Sequence, residues 1–221
     1  MEVAIAPNGA AVIAQSVLPK DGPSVRFELR VLQLAPDGTS FGAPVTLADS
    51  CDCGEAVENL DLALAPGGRI AILWGDGAFT PAAEDLDEPT YHNVLEVFQG
   101  TLGGALKRTA QLAAGPRGHS GGGIATDDAG NVLAGWGEGV PGASGAIVGS
   151  RYVLALKRAG GAFGAPEDVG WKSGGAGSSA STMMLAVLGP RRAVALIDAF
   201  DAGPPFGDGS GHGVLVSRLD P

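Results

Sequence analysis

Positive charge is scarce in this sequence. The chain has 221 residues, with 14 lysines and arginines against 24 aspartates and glutamates, for a formal net charge of −10. A polyanion would be repelled, and no basic patch is interleaved with aromatics. Nucleic acids are therefore excluded as partners, and anionic membrane surfaces with them. Charged residues are 17% of the chain and aromatics 5%, while hydrophobic residues reach 45%, which is a globular rather than a disordered balance. No apolar run approaches the ~20 residues a membrane-spanning helix needs. Cysteine is limited to Cys51 and Cys53 in a C-x-C spacing. Two thiols cannot complete a four-thiolate zinc site, so the pair reads as a small, strained disulfide or as free thiols. The start, Met1-Glu2-Val3-Ala4-Ile5, enters a strand pattern with no basic segment or cleavage site before it. It fits a cytosolic chain, one trimmed of its signal, or a piece cut from a longer protein.

Glycine and proline are what the chain has in quantity, at 37 and 15 residues. Without a collagen-like period they mean many tight turns, which suits many short strands. A repeat confirms that reading. Val3–Ala6 runs through Pro7-Asn8-Gly9 into Ala11–Ala14, and Leu62–Ala65 runs through Pro66-Gly67-Gly68 into Ile70–Trp74. Ile124–Thr126 runs through Asp127-Asp128-Ala129-Gly130 into Val132–Trp136, and a weaker copy joins Leu185–Leu188 to Ala193–Ile197. The offsets are 59, 62 and 61 residues. Asn-Gly and Gly-Gly between apolar runs predict hairpins with primed two-residue turns. A third strand follows in each copy, over Phe27–Leu34, Asn93–Gln99, Tyr152–Lys157 and Gly213–Arg218. A fourth follows a glycine turn in the first three copies, and the last copy stops at Pro221 before its own.

Four short antiparallel strands per period describe a propeller blade, and a β-sandwich requires no fixed period. The expected fold is all-β. It is a β-propeller of about four four-stranded blades forming one domain over 1–221, with repeats at 1–47, 58–114, 121–170 and 180–221 and the last blade incomplete. A ring left open would expose blade faces and strand edges and favour pairing of two chains, or membership of a larger propeller.

Phe41-Gly42-Ala43-Pro44 and Phe163-Gly164-Ala165-Pro166 close the turn between third and fourth strands in two copies. In this placement the chain resembles the BNR/sialidase-like repeat propellers, a loose superfamily of bacterial propellers. The family's Asp-box, Ser/Thr-x-Asp-x-Gly-x-x-Trp, sits at that turn. Here Asp37-Gly38-Thr39-Ser40-Phe41 is one residue short between Asp and Gly, and the other copies lack the Asp. The resemblance implies a shared scaffold and an extracellular or cell-surface setting. Sialidase chemistry, as the family performs it, needs an arginine cluster and a tyrosine nucleophile. The matching face offers Arg117 and Arg151, with Tyr91 and Tyr152 nearby, and its acidity opposes an anionic sugar.

In this topology one end of the blades carries short turns. The other carries long connections, expected at 48–57, 75–92, 115–122, 137–151, 170–180 and 198–213. Function concentrates on long loops held by a rigid scaffold. More than half of the 24 acidic residues fall on the long-loop side, opposed by Lys20, Arg117, Arg151 and Lys172. The candidate binding residues there are Asp76, Glu84, Asp85, Asp87, Glu88, Tyr91, His92, His119, Trp171, Asp198, Asp201 and His212. Tyr91 and Trp171 are the side chains able to stack on a ligand. Glu84, Asp85, Asp87 and Glu88 are weak calcium candidates, because hard cations take several carboxylate oxygens, yet no D-x-D-x-D-G pattern accompanies them. The histidines lack zinc-ligand spacing. Trp74 and Trp136 read as core. The glycine runs at 121–123 and 174–175 lack the Lys-Ser/Thr and the helix of a phosphate loop. No Ser-His-Asp arrangement stands out, so no cofactor or catalytic residue is assigned. The expected function is a non-catalytic binding propeller whose acidic face takes a neutral glycan or a neutral or cationic protein. The alternative is a glycoside hydrolase that cleaves a neutral polysaccharide with loop carboxylates.

Overall fold

The structure, a computed structural model, describes residues 1–17, 27–49, 59–80, 90–115, 119–141, 147–172, 180–187 and 193–199. Among them every regular element is a strand. They are β1 (Glu2–Ile5), β2 (Ala11–Val17), β3 (Glu28–Leu34), β4 (Val45–Asp49), β5 (Asn59–Leu64), β6 (Arg69–Thr80) and β7 (Thr90–Thr101). The second half holds β8 (Lys107–Gly115), β9 (His119–Thr126), β10 (Val132–Pro141), β11 (Ile147–Lys157), β12 (Glu167–Lys172), β13 (Ala180–Val187) and β14 (Ala193–Ala199). All pair antiparallel with their chain neighbours, in sheets β1-β2-β3-β4, β5-β6-β7-β8, β9-β10-β11-β12 and β13-β14. The all-β class and the four-stranded repeat thus hold for three copies. In the fourth, the strand expected over 213–218 lies outside the described residues.

The first turn of each of the first three repeats differs from the expected primed turn. The amides of Ala6, Ala65 and Asp127 donate to the carbonyls of Ala10, Arg69 and Asn131 at 2.8, 2.8 and 3.2 Å. Inside each ring the amide of Gly9, Gly68 or Gly130 donates back to the first residue's carbonyl at 3.0, 2.8 and 3.0 Å. This is a three-residue loop in which only the last position is left-handed, with φ of 85°, 85° and 89°. A type I turn followed by a left-handed residue supplies the twist a two-residue primed turn would otherwise give. Asn8 is used differently from expectation: its Oδ1 accepts the Ala10 amide at 3.1 Å.

Several expected loops are strand. β6 and β7 stay in register from Arg69↔Thr101 to Thr80↔Thr90, so the described residues of 75–92 are hairpin arm. β10 and β11 pair as far as Pro141↔Ile147, which absorbs most of 137–151. Glycines at 75, 77, 137 and 139 lie within these strands. Each alternates with residues that pack or pair, and cross-strand pairing overrode their weak strand preference.

The chain divides into two compact units, Met1–Gly118 and His119–Pro221. In the first, β5 lies against β1 and β2. Val12, Ala14, Leu29 and Val31 pack with Ile70, Ile72, Trp74 and Phe98 in one core. Gln33 of β3 adds a polar clasp on the β7–β8 turn: its Oε1 accepts the Gly103 amide at 2.7 Å and its Nε2 donates to the Gly104 carbonyl at 3.3 Å. In the second unit β13 lies against β9 and β10, and Leu133, Tyr152 and Leu154 pack on Ala193 and Ala195. Both tryptophans at the repeated second-strand position, Trp74 and Trp136, are buried. Truncating such a side chain to alanine costs about 3–5 kcal/mol.

Candidate functional site

The second unit gathers the ionisable side chains into a defined arrangement. On β10, Trp136 and Glu138 are two residues apart and so share a face of the sheet. Glu138 stands directly opposite Arg151 of β11. The Glu138 carboxylate accepts from the Trp136 indole at 3.1 Å on Oε1, and from Arg151 Nε at 3.0 Å and Nη2 at 2.8 Å on Oε2. Arg151 Nη1 lies 3.9 Å from Asp168 Oδ2 on β12. The Glu138 side chain is 14% exposed and that of Arg151 35%, so the carboxylate is mostly withdrawn from water while the guanidinium reaches it.

The row extends across the sheet. His119 of β9 is the register partner of Glu138, and Lys172 of β12 is the partner of Arg151. Four adjacent strands thus place His119, Glu138, Arg151 and Lys172 at one level, at the sheet end opposite the Asp127–Asn131 turn. Register slips between Trp136 and Gly137 and between Arg151 and Val153 flank this level. Bulges of this kind re-aim side chains and are common beside active sites.

In the first unit, Asp76 pairs with Val94, Ala78 with His92 and Phe79 with Tyr91, which brings Asp76, His92 and Tyr91 to one end of the second sheet. Trp171 lies on β12 next to Lys172, and Asp198 lies on β14 opposite Thr182. Glu84, Asp85, Asp87, Glu88, Asp201, His212, Cys51 and Cys53 lie outside the described residues. Among the described residues no cluster of three or more His, Cys, Asp or Glu could hold a metal ion. Tyr152 is no surface nucleophile: it is wholly buried in the core, because the alternation that turns Arg151 outward turns its neighbour inward.

Sequence reasoning missed Glu138 and Asp168 as site residues. A signal for Glu138 was present, since Trp74-Gly75-Asp76-Gly77 and Trp136-Gly137-Glu138-Gly139 repeat the same tetrad at the end of the second strand. Only the second tetrad faces an arginine.

No protein-family model and no curated protein sequence matches the chain. Its backbone does match solved structures. One is described as an ulvan lyase of a new polysaccharide lyase family, PL25. It has a TM-score of 0.52 and 9% identity, over 99% of this chain and 66% of the other. Another is that kind of ulvan lyase bound to -[GlcA(1-4)Rha3S]-, again with a TM-score of 0.52 and 9% identity, over 98% of this chain and 54% of the other. The chain therefore spans about two thirds or less of these proteins' lengths. At such identity the likeness concerns the fold. It nevertheless overturns the expectation of a non-catalytic binder, because the proteins similar to this chain along almost its whole length are polysaccharide-degrading enzymes. The enzymatic alternative agrees with the comparison where the binding module does not.

Proposed function

We propose that this chain is a polysaccharide-degrading enzyme that cleaves by elimination at a uronate, on a scaffold whose sheets are blades of a β-propeller of the repeat type. The observation that carries the reading is the His119, Glu138, Arg151 and Lys172 row at one sheet end, in a chain whose backbone resembles that of polysaccharide lyases.

Eliminative cleavage removes the proton on the carbon beside the carboxylate. The electron pair becomes a carbon–carbon double bond, the glycosidic bond to the leaving sugar breaks, and that oxygen takes up a proton. The proton is too weakly acidic to leave while the carboxylate is fully charged. A guanidinium on the carboxylate stabilises the charge that develops, and Arg151 is the group for this, since its planar fork matches carboxylate geometry. A base is also required. His119 lies in the same row, across Glu138 and two strands from Arg151, and imidazole is the side chain most often used for proton transfer. The chain's net charge of −10 does not forbid an anionic substrate. Salt screens charges beyond roughly 8 Å under physiological conditions, and the row itself holds Arg151 and Lys172 against Glu138.

Hydrolysis by paired carboxylates is the second reading, favoured by Glu138 and Asp168 lying on either side of Arg151. Against it, Glu138 is engaged by three donors and so is poorly placed as an acid or a nucleophile. Incubation with a panel of uronate-containing and neutral polysaccharides decides between them. Elimination yields new reducing ends together with ultraviolet absorbance from the unsaturated uronate. Hydrolysis yields reducing ends alone, and release of neither from any substrate would refute both.

A further inference from the structure

A guanidinium has five N–H donors in a fixed plane and can grip an oxyanion along two edges, the side edge (Nε and Nη2) and the end edge (Nη1 and Nη2). In Arg151 the side edge is taken. Nε and Nη2 both donate to Glu138 Oε2, at 3.0 and 2.8 Å. Glu138 is itself held by the Trp136 indole at 3.1 Å, and Trp136 is fully buried. The chain of support runs from a rigid core residue through a carboxylate to the guanidinium. The end edge is different. Among the described residues its neighbour is Asp168 Oδ2, 3.9 Å from Nη1, beyond hydrogen-bond reach. Three N–H groups therefore point away from the Glu138 contact on a side chain that is 35% exposed.

The repeat makes this arrangement specific to one sheet. At the equivalent position of the second sheet, Trp74-Gly75-Asp76-Gly77 places Asp76 opposite Val94. The tetrad there has its acid but no arginine across the ladder. Among the described residues the Trp74 indole N–H finds no hydrogen-bond partner, whereas that of Trp136 is spent on Glu138.

We propose that Glu138 is a positioning residue. It locks Arg151 by its side edge and presents the end edge as a ready-made receptor for one oxyanion of the substrate, a carboxylate or a sulfate. This rests on the reading of Arg151 as the substrate-anion group. It adds that an acidic residue promotes binding of an anion. Electrostatics alone requires the opposite, because deleting a negative charge beside the site should tighten anion binding. The two accounts therefore differ in sign.

The test is calorimetric titration of the full chain with two probes, a sulfate-free oligosaccharide containing glucuronate and a sulfated oligosaccharide free of uronate. The variants are Glu138→Gln, Glu138→Asp, Arg151→Ala and the double variant Glu138→Gln/Arg151→Ala. Glutamine keeps an acceptor for the Trp136 indole, and Glu138→Asp keeps the charge, so at least one single variant retains the fold, which thermal unfolding verifies. The expected result is about a tenfold weaker affinity in Glu138→Gln, an intermediate loss in Glu138→Asp, and no further loss when Glu138→Gln is added to Arg151→Ala. Whichever probe shows this pattern identifies the oxyanion. Affinity unchanged or improved in Glu138→Gln overturns the positioning role, as do additive losses in the double variant. If Arg151→Ala binds like the wild type, or the wild type binds neither probe, the oxyanion reading fails and the positioning role with it. Binding with the expected pattern but no cleavage of any polysaccharide would sink only the enzymatic reading.

Discussion

Asn131 is the polar residue on which the third repeat turn depends, and its replacement gives the sharpest stability prediction. It is 2% exposed. Its Nδ2 donates to Asp127 Oδ2 at 2.7 Å, and its Oδ1 accepts the Ala159 amide at 3.0 Å. The same side chain thus ties the β9–β10 turn to the β11–β12 turn. Asn131→Ala deletes one charge-assisted bond, worth about 1.5–3 kcal/mol, and leaves a backbone N–H without its partner at about 1 kcal/mol or more. Asp127 is only half-buried and recovers some solvation, so the net loss should be about 3 kcal/mol. At roughly 2–4 °C per kcal/mol for a chain of this size, the midpoint should fall by roughly 6–12 °C. Asn131→Asp keeps the shape but sets a second carboxylate 2.7 Å from Asp127. Two such charges cannot both persist, and the folded pair holds a proton that the unfolded chain releases at neutral pH. The folded state then binds more protons, so this variant gains stability as the pH falls through the carboxylate range. Urea unfolding of the wild type and both variants at neutral and mildly acidic pH checks the pair. A shift below about 0.5 kcal/mol for Asn131→Ala, or a loss for Asn131→Asp that ignores pH, would refute the reasoning, given the unchanged m-value that marks a pure stability effect.

Three further outcomes follow from local geometry. A Cβ at Gly100 would stand 2.6 Å from the Ala105 carbonyl oxygen and 2.8 Å from Leu106 Cδ2, so Gly100→Ala should cost about 1–3 kcal/mol by overpacking, and a neutral effect in thermal unfolding would contradict that. Gln33→Ala removes the clasp on the Gly103–Gly104 turn. Because those bonds are solvent-exposed the loss should stay near 1 kcal/mol, with faster amide exchange at Gly103 as its signature. The Glu28 carboxyl is held below its ordinary titration range, chiefly by its hydrogen bond from Arg30, with a smaller contribution from Thr46. Its interaction is present above the unfolded pKa and is lost as the pH falls through the lowered folded value. An NMR titration should show Arg30→Gln moving the Glu28 midpoint upward, and an unmoved midpoint would remove Arg30 as the cause.

What could be read from the sequence was the part written locally. Hairpins centred on Pro7-Asn8-Gly9 and Pro66-Gly67-Gly68 were visible because turn residues sit between two alternating apolar runs, and their period exposed the repeated sheets. The turn type was misread, since a dipeptide signal does not distinguish a two-residue turn from three residues ending in a left-handed glycine. Gly75, Gly77, Gly137 and Gly139 fall in ranges expected to be loop and are strand instead, because cross-strand pairing outweighs glycine's weak strand preference. The charged row was hidden because it is a property of register. Glu138 and Arg151, thirteen positions apart, meet only if β10 and β11 pair, and His119 and Lys172 join them only across two further ladders. A row of charged residues spread one per strand leaves no contiguous motif, so a search for motifs passes over it.

The central claim is tested most directly by the mass of the products released from a glucuronate-rich polysaccharide. Elimination predicts oligosaccharides that lack one water relative to hydrolysis products, formed by the wild type and lost in Arg151→Ala. Products of full hydrolytic mass, or a polysaccharide left intact by the wild type, would contradict it.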